Sequence, residues 1–245
     1  MLDNLRLAIA RALIPSKYEV PNHLYWLIDE AERYGADTGH SFDVNIDLET
    51  WGLTPGSAIR AIGAYATAPS GKYPRDNGFS VYIHDQSCID AGLKMDPGTV
   101  KWWEDQSEKA KNQFLGAQKE DLRAALTQLN EWITKTGYDQ TAYMDRHDRG
   151  PITVHVWGNG AVMDIALLEA AYRAVDLQPA WEWWASQDCR TMERLARQCG
   201  LDFRRSIPIK GEPHVALNDA RVQGKRMYAA QQSILALVKL GKALM

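Results

Sequence analysis

Asp47 and Glu49 stand two residues apart at the end of the run Phe42-Asp43-Val44-Asn45-Ile46-Asp47-Leu48-Glu49. Side chains alternate along a strand, so Phe42, Val44, Ile46 and Leu48 fall on one face and Asp43, Asn45, Asp47 and Glu49 on the other. Two acids on one side of a strand end repel each other unless a cation lies between them. The cations suited to oxygen ligands are Mg2+ and Mn2+. The alternative is a solvated strand edge that is acidic for no chemical reason. Three later residues suit the same chemistry: Asp164, in the opening turns of a helix after the strand-like Ile152 to Trp157, and His214 and Asp219, both at the start of the last helical stretch. A carboxylate in a first turn also favours the helix dipole, so Asp164 taken alone has a structural reading too.

The elements that must position these residues follow from periodicity. Ala58 to Thr67 and Phe79 to Ile83 read as two more strands, separated by Pro69-Ser70-Gly71-Lys72-Tyr73-Pro74, and the first three strands would form a meander. Asp96-Pro97 is a helix start, with Asp as cap and Pro in the first turn. It leads into Trp102-Trp103, of which one is expected in the core and the other along a groove, where an indole can stack on a base. Leu122, Ala125, Leu126, Leu129, Trp132 and Ile133 define an amphipathic helix ending near Gly137, followed by a polar loop from Tyr138 to Pro151. After Ile152 to Trp157 comes the helix carrying Asp164, Ile165, Leu168 and Tyr172. Pro179 to Trp184 reads as a tryptophan-rich loop, Asp188 opens a helix with Met192 and Leu195, and the stripe Ala220, Met227, Ala230, Ile234, Val238 belongs to the last helix. In front of all this, Leu2, Leu5, Ile9 and Leu13, then Leu24, Ile28 and Ala31, suggest a helical pair over residues 1–40. It is a packing element, a dimer contact or a dock for another protein.

With 245 residues, 45% hydrophobic and 24% charged, the composition is that of an ordinary globular protein, and the net charge of −3 gives no global sign of a nucleic-acid partner. Local charge does: Arg190, Arg194, Arg197, Arg204, Arg205, Lys210, Arg221, Lys225 and Arg226 outnumber the acids of their segment, and read as a phosphate-facing surface or as exposed helix faces. Three cysteines without metal-ligand spacing point to reduced thiols in the cytoplasm. No run of apolar residues is long enough to span a membrane.

Taken in order, Asp-x-Glu, Asp and His-x-x-x-x-Asp resemble the histidine-containing branch of the DEDD exonucleases, the DEDDh or DnaQ-like superfamily. The likeness is closer to its phage, prophage and mycobacterial RNase AS-like (exonuclease VIII-like) subgroup. It is carried by Asp47 to Gly52, Ser87-Cys88 through Gly92-Leu93 to Thr99-Val100-Lys101-Trp102-Trp103 with Gln106-Ser107, Val156-Trp157-Gly158-Asn159-Gly160-Ala161, Arg190-Thr191, and His214 to Ala220. Two positions depart from the pattern. Met163 replaces a frequent Phe, and His-Val-Ala-Leu-Asn-Asp replaces the usual His-Asn-Ala-Leu-Asp-Asp.

The resemblance implies an α/β, RNase H-like exonuclease fold over residues 41–245, with a mixed central sheet, a three-strand meander and flanking helices, plus the helical extension 1–40. It implies 3'-to-5' hydrolysis of single-stranded nucleic acid, RNA favoured over DNA, to nucleoside monophosphates. Two Mg2+ or Mn2+ ions would be held by Asp47, Glu49, Asp164 and Asp219, with Asp47 bridging. His214 would be the general base, since imidazole ionises near neutrality. Main-chain groups around Leu48, Thr50 and Trp51 would hold the terminal sugar, and Trp51, Trp103 or Gln106 would contact the base, with Asn159 also at the substrate. A homodimer is the expectation from relatives, with residues 1–40 open to a protein partner. The rival readings are a single-strand DNA exonuclease of phage replication or DNA breakdown, and a nucleic-acid-binding or docking protein that retains the nuclease fold.

Overall fold

The computed structural model describes residues 41–67, 78–141, 153–209 and 214–243. The expected helical pair at residues 1–40, the loop Pro69 to Pro74 and most of the loop before Pro151 lie outside the described residues. A six-stranded mixed sheet organises the rest, in the order β4-β3-β2-β1-β5-β6. Strands β1 (Ser41–Thr50), β2 (Ile59–Thr67) and β3 (Gly78–Ile83) form the expected antiparallel meander, and β5 (Thr153–Gly158) adds to β1 in parallel. Two short strands, β4 (Lys119–Glu120) and β6 (Ser186–Asp188), extend the sheet in parallel at its two edges.

Strand β1 is central, which decides against the solvated edge. Val44 and Ile46 are fully buried on one face, each contributing about 1.5–3 kcal/mol of hydrophobic stabilisation. They meet α4 (Leu122–Thr141) and α5 (Asp164–Ala174) through the main core, with Leu126, Leu129, Leu167 and Leu168. The polar face is buried as well, because the long helix α8 (Ala216–Ala243) lies across it and supplies hydrogen bonds. Gln223 Nε2 donates to Asp47 Oδ1 at 2.7 Å and Gln231 Nε2 to Asp43 Oδ2 at 3.1 Å, while Trp157 Nε1 reaches Asp43 Oδ1 at 2.9 Å. An alternating pattern that suggested one wet face therefore belongs to a strand covered on both sides.

The remaining helices are α1 (Asp85–Asp90), α2 (Pro97–Glu104), α3 (Glu108–Asn112), α6 (Cys189–Gln198) and α7 (Phe203–Ser206). Asp96 caps α2 as expected, accepting from the Thr99 amide at 2.8 Å, and Asp188 caps α6 through Thr191 at 2.7 Å. Several expectations need correction. Helix α4 continues through Gly137 to Thr141, so the polar loop begins later than Tyr138; one glycine costs a helix only about 1 kcal/mol and does not stop it. The tryptophan-rich segment is not all loop: it holds a 3-10 turn, Trp183–Ala185, that feeds directly into β6. Leu195 is exposed, because α6 turns Glu193 and Ala196 inward instead. The short α1, α3, α7, β4 and β6 have too few residues to show a period.

Candidate active site

The acid pair ends β1. Opposite it, β2 bulges, because Glu49 pairs with Ala61 but Thr50 pairs with Ile59. Asp47 pairs with Gly63, and Gly63 is where α8 begins its crossing: a Cβ built there would lie 2.1 Å from the Ala216 carbonyl carbon and 2.2 Å from the Leu217 nitrogen. Only glycine allows this close approach. It brings Asp219, in the first turn of α8, against the two acids of β1. One carboxylate oxygen from each of Asp47, Glu49 and Asp219 can be chosen so that all three lie within 4.8 Å of one another.

Asp164 is the first residue of α5, and its field reaches Asp47 from the end of the neighbouring strand β5. The Asn159 main chain bonds the Asp164 carboxylate, and Arg190 lies close enough to favour its charge. The loop between β5 and α5 is tied down by Asp188, whose Oδ2 accepts from the Ala161 amide at 2.9 Å.

His214 precedes α8 in a left-handed conformation, φ 61°, unusual for a residue with a Cβ. Its amide donates to Asp219 Oδ2 at 3.2 Å, and its carbonyl accepts from Gln113 Nε2. The imidazole stands edge-on to the Trp102 ring, 5.1 Å between centroids, and 6.1 Å from that of Trp103. The bond from its amide thus also holds Asp219.

Burial and mutual repulsion set the electrostatics. Burial, then the charges of Asp164, Glu49 and Asp219, hold the Asp47 carboxyl well above the usual carboxylate range. Glu49 is pushed up to about 8, by burial first and then by Asp219, against the opposing pull of Arg60. Burial raises Asp164 to about 6 and moves Asp219 in the same direction. Each carboxyl keeps its proton more firmly in the folded chain than in the unfolded one. Their stabilising contribution is complete below the unfolded pKa, about 4, and is lost as pH climbs through about 6 for Asp164 and about 8 for Glu49. Metal-free protein should therefore melt at progressively lower temperature between pH 5 and pH 8.5 (roughly, from those values), and Mg2+ should restore more of the loss at the upper end. A melting temperature that rises over that range without metal would contradict this electrostatic picture.

The donor set fits a hard divalent cation. It consists of carboxylate oxygens alone, packed closely enough to repel, and Asp219 Oδ1 is buried with no hydrogen-bond partner among the described residues.

The proposed substrate contacts are placed less uniformly. Trp103 is the buried member of the tryptophan pair, 3% exposed, with its Nε1 donating to the Thr50 carbonyl at 2.9 Å. It is a wall of the site with little surface left for a base. Trp102 is the exposed member, 43% accessible, and stands beside His214. Gln106 turns back to the Trp102 carbonyl at 3.0 Å. Trp51 donates its indole N–H to Asp85 Oδ1 at 2.6 Å, and its amide and carbonyl bond Ala58 and Asp96. Leu48 is buried in the core, and the Thr50 hydroxyl bonds the Gly52 carbonyl at 2.7 Å.

Sequence reasoning missed Gln223, Gln113 and Arg60. Gln223 lies one helical turn after Asp219, and that spacing was a usable signal; the other two depend on tertiary approach. The basic segment is partly self-neutralised: Glu193, 6% exposed, accepts Arg204 Nε at 2.5 Å and has Arg197 and Arg226 each at 3.8 Å. Those three arginines serve a buried acid, which favours the structural reading for them.

A meander extended in parallel carries acids on β1 and at the head of α5, with a third acid on the crossing helix α8 and a histidine just before it, and the family match makes the chain a 3'-5' exonuclease. The chain belongs to the Rv2179c-like 3'-5' exoribonuclease domain family, whose model matches residues 43–231. Among solved structures it is similar to cell-death related nuclease 4 (CRN-4), with 10% identity, TM-score 0.51, and 79% of this chain and 66% of that one covered. It is also similar to the nuclease domain of 3'hExo bound to rAMP (12%, 0.47, 78% and 92%). A third likeness is to S. pombe Pop2p in its Mg2+ and Mn2+ bound form (13%, 0.46, 86% and 88%). No curated protein matches the chain. Among the described residues, no helix is long and apolar enough to cross a membrane.

Proposed function

We propose that the protein removes nucleoside monophosphates one at a time from the 3' end of single-stranded RNA, using two divalent ions, Mg2+ or Mn2+. The observation that carries this reading is the convergence of Asp47, Glu49 and Asp219 within 4.8 Å, with His214 bonded through its backbone to the same Asp219. The choice of RNA rests on the family, described as exoribonuclease.

In this mechanism Asp47, Glu49, Asp219 and Asp164 would hold the ions. When bound, they supply charge to stabilise the attacking and leaving oxygens of an in-line displacement. Gln223 keeps the Asp47 carboxylate turned towards α8. His214 takes the proton from the attacking water, its ring steadied by the two indoles and its backbone by Asp219 and Gln113. Trp102 and Trp51 offer ring faces and edges to the terminal base. His214→Ala is expected to lower turnover by about 10²–10⁴ while calorimetric Mn2+ binding survives, because no ring nitrogen is needed for the ions. Loss of Mn2+ binding in that variant would make His214 a ligand and sink its role as base.

The deciding experiment is a gel time course with 5'-labelled single-stranded RNA and DNA of the same sequence in Mg2+ and in Mn2+, beside an Asp47→Ala control. A ladder shortening from the 3' end, faster on RNA and absent in the control, is the expected result. Equal or faster shortening of DNA would move the assignment to a single-strand DNA exonuclease.

A further inference from the structure

The bulge in β2 has a passenger. Ile59 and Ile62 both enter the main core, whereas Ala61 belongs to the separate cluster of Trp103, Phe114 and Ala216 on the catalytic side. Two intervening residues between two inward ones is what a bulge produces, and it aims residue 60 at the same side as Glu49. Without the bulge, strict alternation from Ile62 would send Arg60 into an apolar core.

On the catalytic side the guanidinium is caged by three rings. Its carbon lies 4.0 Å from the Trp51 ring centroid, 4.4 Å from that of Trp103 and 3.7 Å from that of Phe114. Cation–π attraction and planarity fix it there. Its Nη1 is buried with no hydrogen-bond partner among the described residues, so no bond of that nitrogen draws it elsewhere. The acids that feel its charge are Asp85, which holds the Trp51 indole, and Glu49.

We propose that Arg60 is a positioning residue of the exonuclease site, a resident countercharge that the bulge delivers to the face of the sheet shared with Glu49, where it offsets the charge of that acid and so restrains uptake of divalent ion. The inference rests on reading Asp47, Glu49, Asp164 and Asp219 as the metal-holding set. A fixed positive charge near a site for cations must weaken cation binding, in proportion to the product of the charges and inversely with distance. Arg60 makes the empty site tolerable and the loaded one less tight.

The sign of the effect separates this role from packing. Arg60→Met keeps the cage filled and removes the charge; Arg60→Lys keeps a charge without the planar stack. Mn2+ titration calorimetry without substrate, with melting temperature as a check on folding, is the measurement. Arg60→Met is expected to bind Mn2+ more tightly, on the order of 3- to 10-fold, and Arg60→Lys to stay near the parent. Arg60→Met that is folded and binds Mn2+ equally or more weakly would overturn the proposal, because loss of mere packing loosens a site. Should Arg60→Met fail to fold, the lysine variant decides: weaker binding would mean that the stack, not the charge, is what counts. Absence of Mn2+ binding by the parent protein, or binding unchanged by Asp47→Asn, would instead refute the metal assignment.

Discussion

Asp47→Asn is expected to reduce exonuclease turnover by at least about a thousandfold, equivalent to about 4 kcal/mol of barrier, and at the same time to raise the melting temperature of the metal-free protein. Both follow from one arrangement. Asp47 is held beside Glu49 and Asp219, and burial and the surrounding acids oppose its charge. Asparagine removes the charge that folding must tolerate and keeps an oxygen for Gln223, whose Nε2 now donates to Asp47 Oδ1. It also removes one of the three clustered carboxylates that would hold a divalent ion. The checks are single-turnover hydrolysis of a 3' end in Mg2+, and melting with and without Mg2+. The expected pattern is a stabler apo protein with no Mg2+-dependent gain. A variant that melts higher yet still degrades RNA would take Asp47 out of the mechanism.

Gly63→Ala is the larger structural test, because it touches no functional group. The added methyl would sit 2.1 Å from the Ala216 carbonyl carbon, and backbone cannot yield as a flexible side chain can. Helix α8 must lift, at a cost of about 1–3 kcal/mol in stability. Asp219 and the backbone of His214 would lift with it, moving away from Asp47 and Glu49. Displacement of catalytic groups by about 1 Å can cost about 10²-fold in rate, so activity should fall by about that factor with both β1 acids intact. Melting and turnover measured on the same preparation check this. Full activity in Gly63→Ala would mean that α8 does not depend on that contact to bring its acid home.

Much of this architecture was legible from residue patterns, and the failures have a common cause. The meander, the capped helix at Asp96 and the helix opening at Asp164 all rest on neighbours within a few residues, where periodicity and capping chemistry act. Burial of the polar face of β1 could not be read from Asp43, Asn45 and Asp47, since what covers them, Gln223 to Gln231, lies far along the chain. The tryptophan pair illustrates the same limit: adjacency required the two rings to diverge, but that Trp103 went inward depends on distant partners, the Thr50 carbonyl, Ala61, Phe114 and Ala216. Arg60 was invisible for a different reason. A bulge leaves no mark in composition, and an arginine in a buried strand reads as an edge until the register slip is known. The five candidate site residues stood out because chemistry restricts their types. The residues that steady them, Gln113 and Gln223, are of ordinary types and gain meaning only from position.

The close approach at Gly63 also bears on how the enzyme is made. Asp47 and Glu49 emerge before Asp219; at about 5–20 residues per second, roughly 10 to 30 seconds separate them. Until α8 has left the ribosome and settled over Gly63, a nascent chain carries only part of its acid set and lacks the histidine. The helix that completes the site is thus made well after the strand that begins it, and the acids of β1 stand without their partner while the residues between are added.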